Sequence, residues 1–447
     1  MSSGVRNLTF ATIAFVLVAA LAQAQDAPTL SLDDAIRMGL AHNRSLANAA
    51  LQIDKAANDI ATARSRRLPQ FQVETQASQL LQPIDLTFPR GAFGTFEGIG
   101  PVPDTDATVT TPSKLSLIST LQASQPITQL FKLNLNIRLT EAGKALAEEQ
   151  LRDAQLTLVS NIKRIYYDIL QTQSALESNE RSIQLLEEMN RVVAARLVQQ
   201  AALKADALTT ESKLAKAEVS RVELRHAIDS RKEQLNQLIG RDVRTVFAVE
   251  PVPDAFVRGV SLEDAQGRAI DSRPDVRQAR LTLQQAELAK SVAKSDYLPD
   301  LSVGVSYLRP MNINGAPKHI ASAALQMKWE VFDWGRRGRT LASKNVDIEQ
   351  ARNSVRDAED RAALDINAKV RSVETARARL KALRTSALAA HETARVSLMQ
   401  YSAHAALFAD VLQYQASAAD ADYQVQQALA AFWTAQADLE RAMAEGI

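Results

Sequence analysis

An offset of 230 residues lays Ser31–Val73 over Ser261–Val303 without a gap. The identities include Ser31/Ser261, Asp34/Asp264, Leu51/Leu281, Ala63/Ala293 and Leu68-Pro69/Leu298-Pro299. A second register, at 204 residues, pairs Leu121-Gln122 with Leu325-Gln326, and Leu203, Ala205, Asp206 and Leu208 with Leu407, Ala409, Asp410 and Leu412. The registers differ by 26 residues, which places an insertion in the first copy, in the Pro/Gly/Thr-rich stretch 82–113. A tandem duplication of this size constrains architecture before any local assignment does.

Each copy reads helix, strand, loop, strand, long helix, turn, long helix. The expected repeats are residues 25–250 and 251–447. The first helix of each opens at Ser31-Leu-Asp-Asp or Ser261-Leu-Glu-Asp, where a hydroxyl and early carboxylates suit exposed backbone N–H groups. It ends before the Leu-Pro step, because a proline disfavours helix in the residue ahead of it. Period two then takes over. Leu301, Val303, Val305 and Tyr307 oppose Ser302, Gly304 and Ser306, and Phe71 and Val73 oppose Gln72 and Glu74. In the return strands Leu325, Met327, Trp329 and Val331 oppose Gln326, Lys328 and Glu330.

The predicted strands cover 69–81, 114–127, 299–308 and 320–332, each near the length of a tilted bilayer-spanning strand. A small soluble sheet with one wet face shows the same alternation. The charged polar faces, with Trp329 and Tyr307 expected near strand ends, favour the barrel. Val303, Val305, Met327 and Trp329 are then the lipid-facing set, and Ser302, Ser306 and Gln326 the lumenal one. In the long segments that follow, Val159, Ile162, Tyr166 and Ile169 keep coiled-coil spacing, continued by Leu176 and Ile183. The expected fold is mainly α with a transmembrane β-barrel portion.

Lys and Arg number 52 and Asp and Glu 51, a balance that argues against a nucleic-acid binder. With no cysteine, the chain has neither disulfide nor thiol nucleophile. The five histidines show no ligand spacing, and no phosphate loop or catalytic constellation stands out, so neither cofactor, metal nor enzymatic activity is expected. Gly335-Arg-Arg-Gly-Arg reads as a strand-to-helix turn. Arg6, the apolar run Phe10–Ala22 and Ala22-Gln23-Ala24 read as a signal peptide over residues 1–24, cleaved before Gln25.

The duplicated order, the Leu-Pro strand openings, Ser124-Gln-Pro-Ile and Trp329-Glu-Val-Phe-Asp-Trp-Gly-Arg-Arg together resemble the TolC-like outer membrane efflux proteins. The resemblance covers nearly all of the mature chain. It implies a homotrimer in the outer membrane, with a twelve-stranded barrel continued by a periplasmic helical tunnel. The implied function is the exit duct of a tripartite efflux pump or type I secretion system, reached through a periplasmic adaptor from an inner-membrane pump. It implies hairpin tips near 200–206 and 401–410 that act as gate and adaptor-docking surface. Asp410 matches a pore-constricting aspartate, Tyr401 a gate tyrosine, and Asp206 the aspartate tied to that tyrosine. Leu203, Lys204, Leu407 and Phe408 fall at the docking tips. Gln413, His404 and Ala406 depart from the pattern, where a second aspartate, a glycine and an arginine are expected. Asp206 and Asp410 also suit helix caps. The competing assignment, a periplasmic coiled-coil adaptor or scaffold, should carry one hairpin flanked by β segments rather than two hairpins and four strands.

Overall fold

A computed structural model describes residues 28–111, 114–200, 203–252, 267, 270–313, 317–403 and 405–445. The expected signal peptide and the Ser261 cap lie outside them. Two compact units result: one of residues up to 53, 147–280 and from 354 onward, the other of 54–146 and 281–353.

In the first unit, helix α1 (Leu32–His42) starts at Ser31, whose hydroxyl accepts the Asp34 N–H at 3.1 Å. The single first helix expected from sequence is broken at Asn43, and α2 (Arg44–Ser65) follows. The break has a clear cause. The Asn43 side-chain oxygen accepts the N–H groups of Ser45 (2.8 Å) and Leu46 (3.1 Å), capping α2. Its amide donates to the Leu238 carbonyl at 2.8 Å, which ties the break to the end of helix α4 (Lys204–Leu238). Gly240 follows at φ +75°, and a Cβ there would stand 2.3 Å from the His42 carbonyl oxygen. Only glycine allows this approach.

The two longest helices are α3 (Gln129–Val198, 70 residues) and α6 (Arg336–Ser402, 67 residues), far beyond globular helix length. Most of the expected seam is buried: Ile162, Tyr166 and Ile169 have no exposed surface, Val159 and Ile183 are 4% exposed, and Leu176 is half-buried. Strands β1 (Thr29–Leu30) and β8 (Ala248–Val249) pair in parallel beside it. The Tyr166 hydroxyl sits 2.9 Å from the Leu30 carbonyl and 2.8 Å from that of Glu250, and accepts the Glu250 N–H at 3.0 Å. Burial pushes its pKa up to about 12. A second core joins α6 to α7 (Phe408–Ala442) through Ile366, Leu380 and Phe432.

Charge is used here as a clamp. Arg273, 15% exposed, ion-pairs with Asp275 and Asp365, both at 2.8 Å. Asp438 holds Lys369 at 2.9 Å and Arg164 at 3.0 Å. Burial would raise the carboxyl pKa of Asp275 and of Asp438, but their cationic partners outweigh it and depress both. A carboxylate depressed by folding stabilises the fold above its unfolded pKa, about 3.9, and loses this as pH falls through the lower folded value. Arg273→Met should therefore move acid unfolding, followed by far-UV circular dichroism, to higher pH. An unchanged acid midpoint would mean the clamp contributes nothing.

The second unit carries a four-stranded antiparallel sheet of β2 (Gln70–Gln79), β7 (Leu115–Pro126), β9 (Asp300–Met311) and β10 (Ile320–Lys328). Both Pro69 and Pro299 stand immediately before a strand, and α5 (Pro274–Ser295) precedes the second. β9 continues past the expected residue 308 because β7 pairs with it as far as Met311. β10 ends earlier than expected. Trp329 lies beyond it, since the ladder pairs Lys328 with Asp300 and the next partner, Pro299, has no N–H to give. Residues 82–113, expected as a loop, contain a β-hairpin of β3 (Ile84–Phe88) and β6 (Ala107–Thr111), with β4 (Thr95–Phe96) paired to β5 (Gly100–Pro101) at its tip.

Candidate pore-forming sheet and hairpin tips

The register sorts the sheet side chains cleanly. Leu325 opposes Val303, Ala323 opposes Val305, and Met327 opposes Leu301. Val305 also faces Ala123, Tyr307 faces Leu121, and Phe71 and Val73 meet Ala123 and Leu121. One face is therefore mostly apolar across all four strands. It is also bare: Phe71 is 77% exposed, Leu325 66% and Met327 64%. An exposed apolar face of this extent marks a surface that meets lipid or protein.

On the other face Ser302 opposes Gln326, and the Ser306 and Ser322 hydroxyls meet at 2.8 Å. Gln122 opposes both Gln72 and Ser306, and Glu74 opposes Thr120. The outer edges of β2 and β10 pair with no strand among the described residues. Their N–H and C=O rows are left for another chain or for water.

Where β10 hands over to α6, the turn expected of Gly335-Arg-Arg-Gly-Arg is confined to Trp334 and Gly335, and Arg336–Arg339 already belong to α6. Trp334 and Gly335 adopt φ of 56° and 81°. The Asp333 carboxylate accepts the N–H groups of Gly335 (3.1 Å) and Arg337 (2.9 Å) and the Arg337 Nε at 2.7 Å. Arg337 in turn donates to the Asp296 carbonyl at 3.0 Å and lies 5.2 Å from the centre of the Tyr297 ring. Sequence reasoning missed this lock, because its partners lie about forty residues apart and no local pattern joins them. Trp329 donates its indole N–H to the Tyr297 carbonyl at 3.3 Å, so it braces the same junction rather than extending the strand.

At the helical tips, α3 gives way to α4 between Val198 and Lys204, and α6 to α7 between Ser402 and Phe408. Leu203 and Leu407 are each 70% exposed, and Lys204 is exposed beside the former. Asp410 is exposed in the first turn of α7, and its carboxylate accepts the Leu407 N–H at 3.3 Å. The geometry thus supports the capping role directly. The side chains of Asp206, Tyr401 and Phe408 lie outside the described set. Further along the same two helices, His391 of α6 meets Asp422 of α7 at 2.8 Å. No group of side chains able to hold a metal occurs among the described residues.

The family model for outer membrane efflux proteins matches residues 35–241 and 266–445, most of both repeats. The chain belongs to the outer membrane efflux protein family. Solved channels of this family share the fold. The outer-membrane channel OprN superposes with a TM-score of 0.76 at 16% identity, over 93% of this chain and 90% of that one. CusC gives 0.76 at 16% identity over 96% of each chain, and VceC from Vibrio cholerae 0.73 at 15% over 93% and 96%. A curated relative, an uncharacterized protein of Haemophilus influenzae, is 18% identical over 325 residues. Those residues are 72% of this chain and 66% of that relative's length. No helix among the described residues is long and apolar enough to cross a membrane.

Proposed function

We propose that this chain is the outer-membrane exit duct of a tripartite efflux pump or type I secretion assembly. Three copies of its four-stranded sheet form one twelve-stranded barrel. The observation that carries this reading is the sheet whose two edges pair with no strand among the described residues and whose one face is bare and apolar. An open edge in lipid leaves backbone groups unpaired at several kcal/mol each, so a spanning sheet must close. Four strands are too few to close alone. Because β2, β7, β9 and β10 alternate in direction, β10 of one copy meets β2 of the next antiparallel, and closure introduces no irregularity.

In this reading the apolar face meets outer-membrane lipid, and the Ser/Gln face lines a polar duct. The long helices continue into the periplasm as a tunnel. Transport is driven elsewhere, by an inner-membrane pump reached through a periplasmic adaptor. Leu203, Lys204, Leu407 and Phe408 at the tips form the docking surface. Asp410 supplies an acidic ring at the constriction, with Tyr401 and Asp206 linking neighbouring hairpins.

The seam can be tested because the chain has no native cysteine. Side chains of the apolar face must meet across it, so Val73→Cys combined with Leu325→Cys, or with Ala323→Cys or Met327→Cys in neighbouring registers, should oxidise to covalent dimers and trimers. Val73→Cys with Gln326→Cys, which puts the second thiol on the other face, should not. Outer-membrane protein that yields no inter-chain band from any same-face pair would sink the shared barrel.

A further inference from the structure

Residues 82–113 carry a surface that the duct itself does not use. β3 and β6 form a two-stranded ladder separate from the four-stranded sheet. Ile84, Leu86 and Phe88 alternate with Asp85 and Thr87, and the register sets Leu86 against Val109 and Phe88 against Ala107. One face of the hairpin is therefore apolar. Ile84, Leu86 and Val109 are 48%, 51% and 55% exposed, and Phe93, whose ring lies 5.1 Å from that of Phe88, is 60% exposed.

The opposite face is self-satisfied. The Thr87 and Thr108 hydroxyls meet at 3.2 Å, and Thr110 donates to Asp85 at 2.5 Å. The tip is equally well tied. Gly91 N–H donates to the Pro103 carbonyl, Phe93 N–H to that of Val102, and Val102 N–H to that of Gly94, each at 2.9 Å. The Arg90 N–H donates to the Asp106 carboxylate at 2.8 Å. So the hairpin has a defined shape before anything covers it. A two-stranded hairpin in water is marginally stable without a partner for its apolar face.

We propose that this face packs against the same hairpin of a neighbouring copy, gathering the inserts over the end of the barrel from which β2 exits. The inference rests on the shared-barrel reading. The place of the hairpin in the chain points to a second copy as the occupant. The hairpin follows directly from β2, the strand whose open edge the neighbouring copy must fill, through Leu80 and the 93% exposed Leu81. The hairpin therefore leaves the sheet at the proposed chain-to-chain seam.

The test uses the full chain in outer membranes with a single thiol, Leu86→Cys on the apolar face or Thr87→Cys on the polar one. A short bis-maleimide is followed by denaturing electrophoresis, and a membrane-impermeant maleimide measures access. Leu86→Cys should form covalent dimers at least about tenfold more efficiently than Thr87→Cys, because neighbouring faces hold the thiols at high effective concentration. It should also label more slowly than Thr87→Cys. Rapid labelling without dimers would show a free hairpin, and slow labelling without dimers a face covered by something else. Either result overturns the proposal. A wild-type chain that forms no heat-sensitive oligomer overturns the shared barrel and this inference together. An intact oligomer with uncoupled hairpins overturns this inference alone.

Discussion

Val305→Arg is expected to abolish assembly of the oligomer, while Ser306→Arg, one residue on, leaves it assembled with altered conductance. Val305 sits mid-strand on β9, faces Ala323 and Ala123 across its two ladders, and is 53% exposed. If that exposure is to lipid, an arginine there costs about 2–4 kcal/mol near the bilayer midplane. In the proposed trimer the cost falls three times, and the small alanines alongside offer no partner for the guanidinium. Ser306 points the other way, with its hydroxyl on that of Ser322. Losing one exposed hydroxyl pair costs little, since water replaces it. In the proposed trimer the arginine then adds three positive charges to the duct wall. Heat-modifiable migration of outer-membrane protein reports the first effect, and single-channel current in planar bilayers the second. Equal assembly defects from both variants would argue that the sheet has two equivalent faces and is no barrel wall.

What was legible in the sequence was whatever short-range chemistry dictates. Pro69 and Pro299 each disfavour helix just ahead of themselves, and β2 and β9 begin at the next residue. Ile162, Tyr166 and Ile169 repeat at helical spacing and are fully buried. Features set by distant partners were not legible. The break at Asn43 depends on a carbonyl 195 residues away, and nothing in Ala41-His-Asn-Arg-Ser announces it. The early end of β10 depends on Pro299 standing opposite Trp329, a matter of register rather than local alternation. The insert looked like a loop because prolines and glycines crowd its tip. Ile84-Asp-Leu-Thr-Phe and Ala107-Thr-Val-Thr-Thr still held the period-two signal of its hairpin. At the tips, sequence offered Asp410 two roles, cap and gate, and the geometry of one copy speaks only to the cap.

Those two roles separate under Asp410→Asn. The capping contact is a hydrogen bond from the Leu407 N–H to a side-chain oxygen at 3.3 Å, and asparagine retains such an oxygen. What the substitution removes is charge. At a helix N-terminus that loss costs about 0.3–1 kcal/mol through the helix dipole, less at high salt. Oligomer stability should therefore hardly move. The pore role depends on the charge itself: three exposed carboxylates gathered on one axis concentrate cations and repel anions. Gln413, one turn further along α7, contributes no second ring, so cation preference should rest heavily on Asp410. In planar bilayers under a potassium chloride gradient the wild type should show a cation-selective reversal potential. That potential should shrink as salt rises and the Debye length falls from about 30 Å at 0.01 M to about 3 Å at 1 M. For Asp410→Asn it should sit near zero throughout, with block by multivalent cations lost and heat-modifiable migration unchanged. Wild-type selectivity in the variant at low salt would leave Asp410 as a helix cap and remove it from the gate.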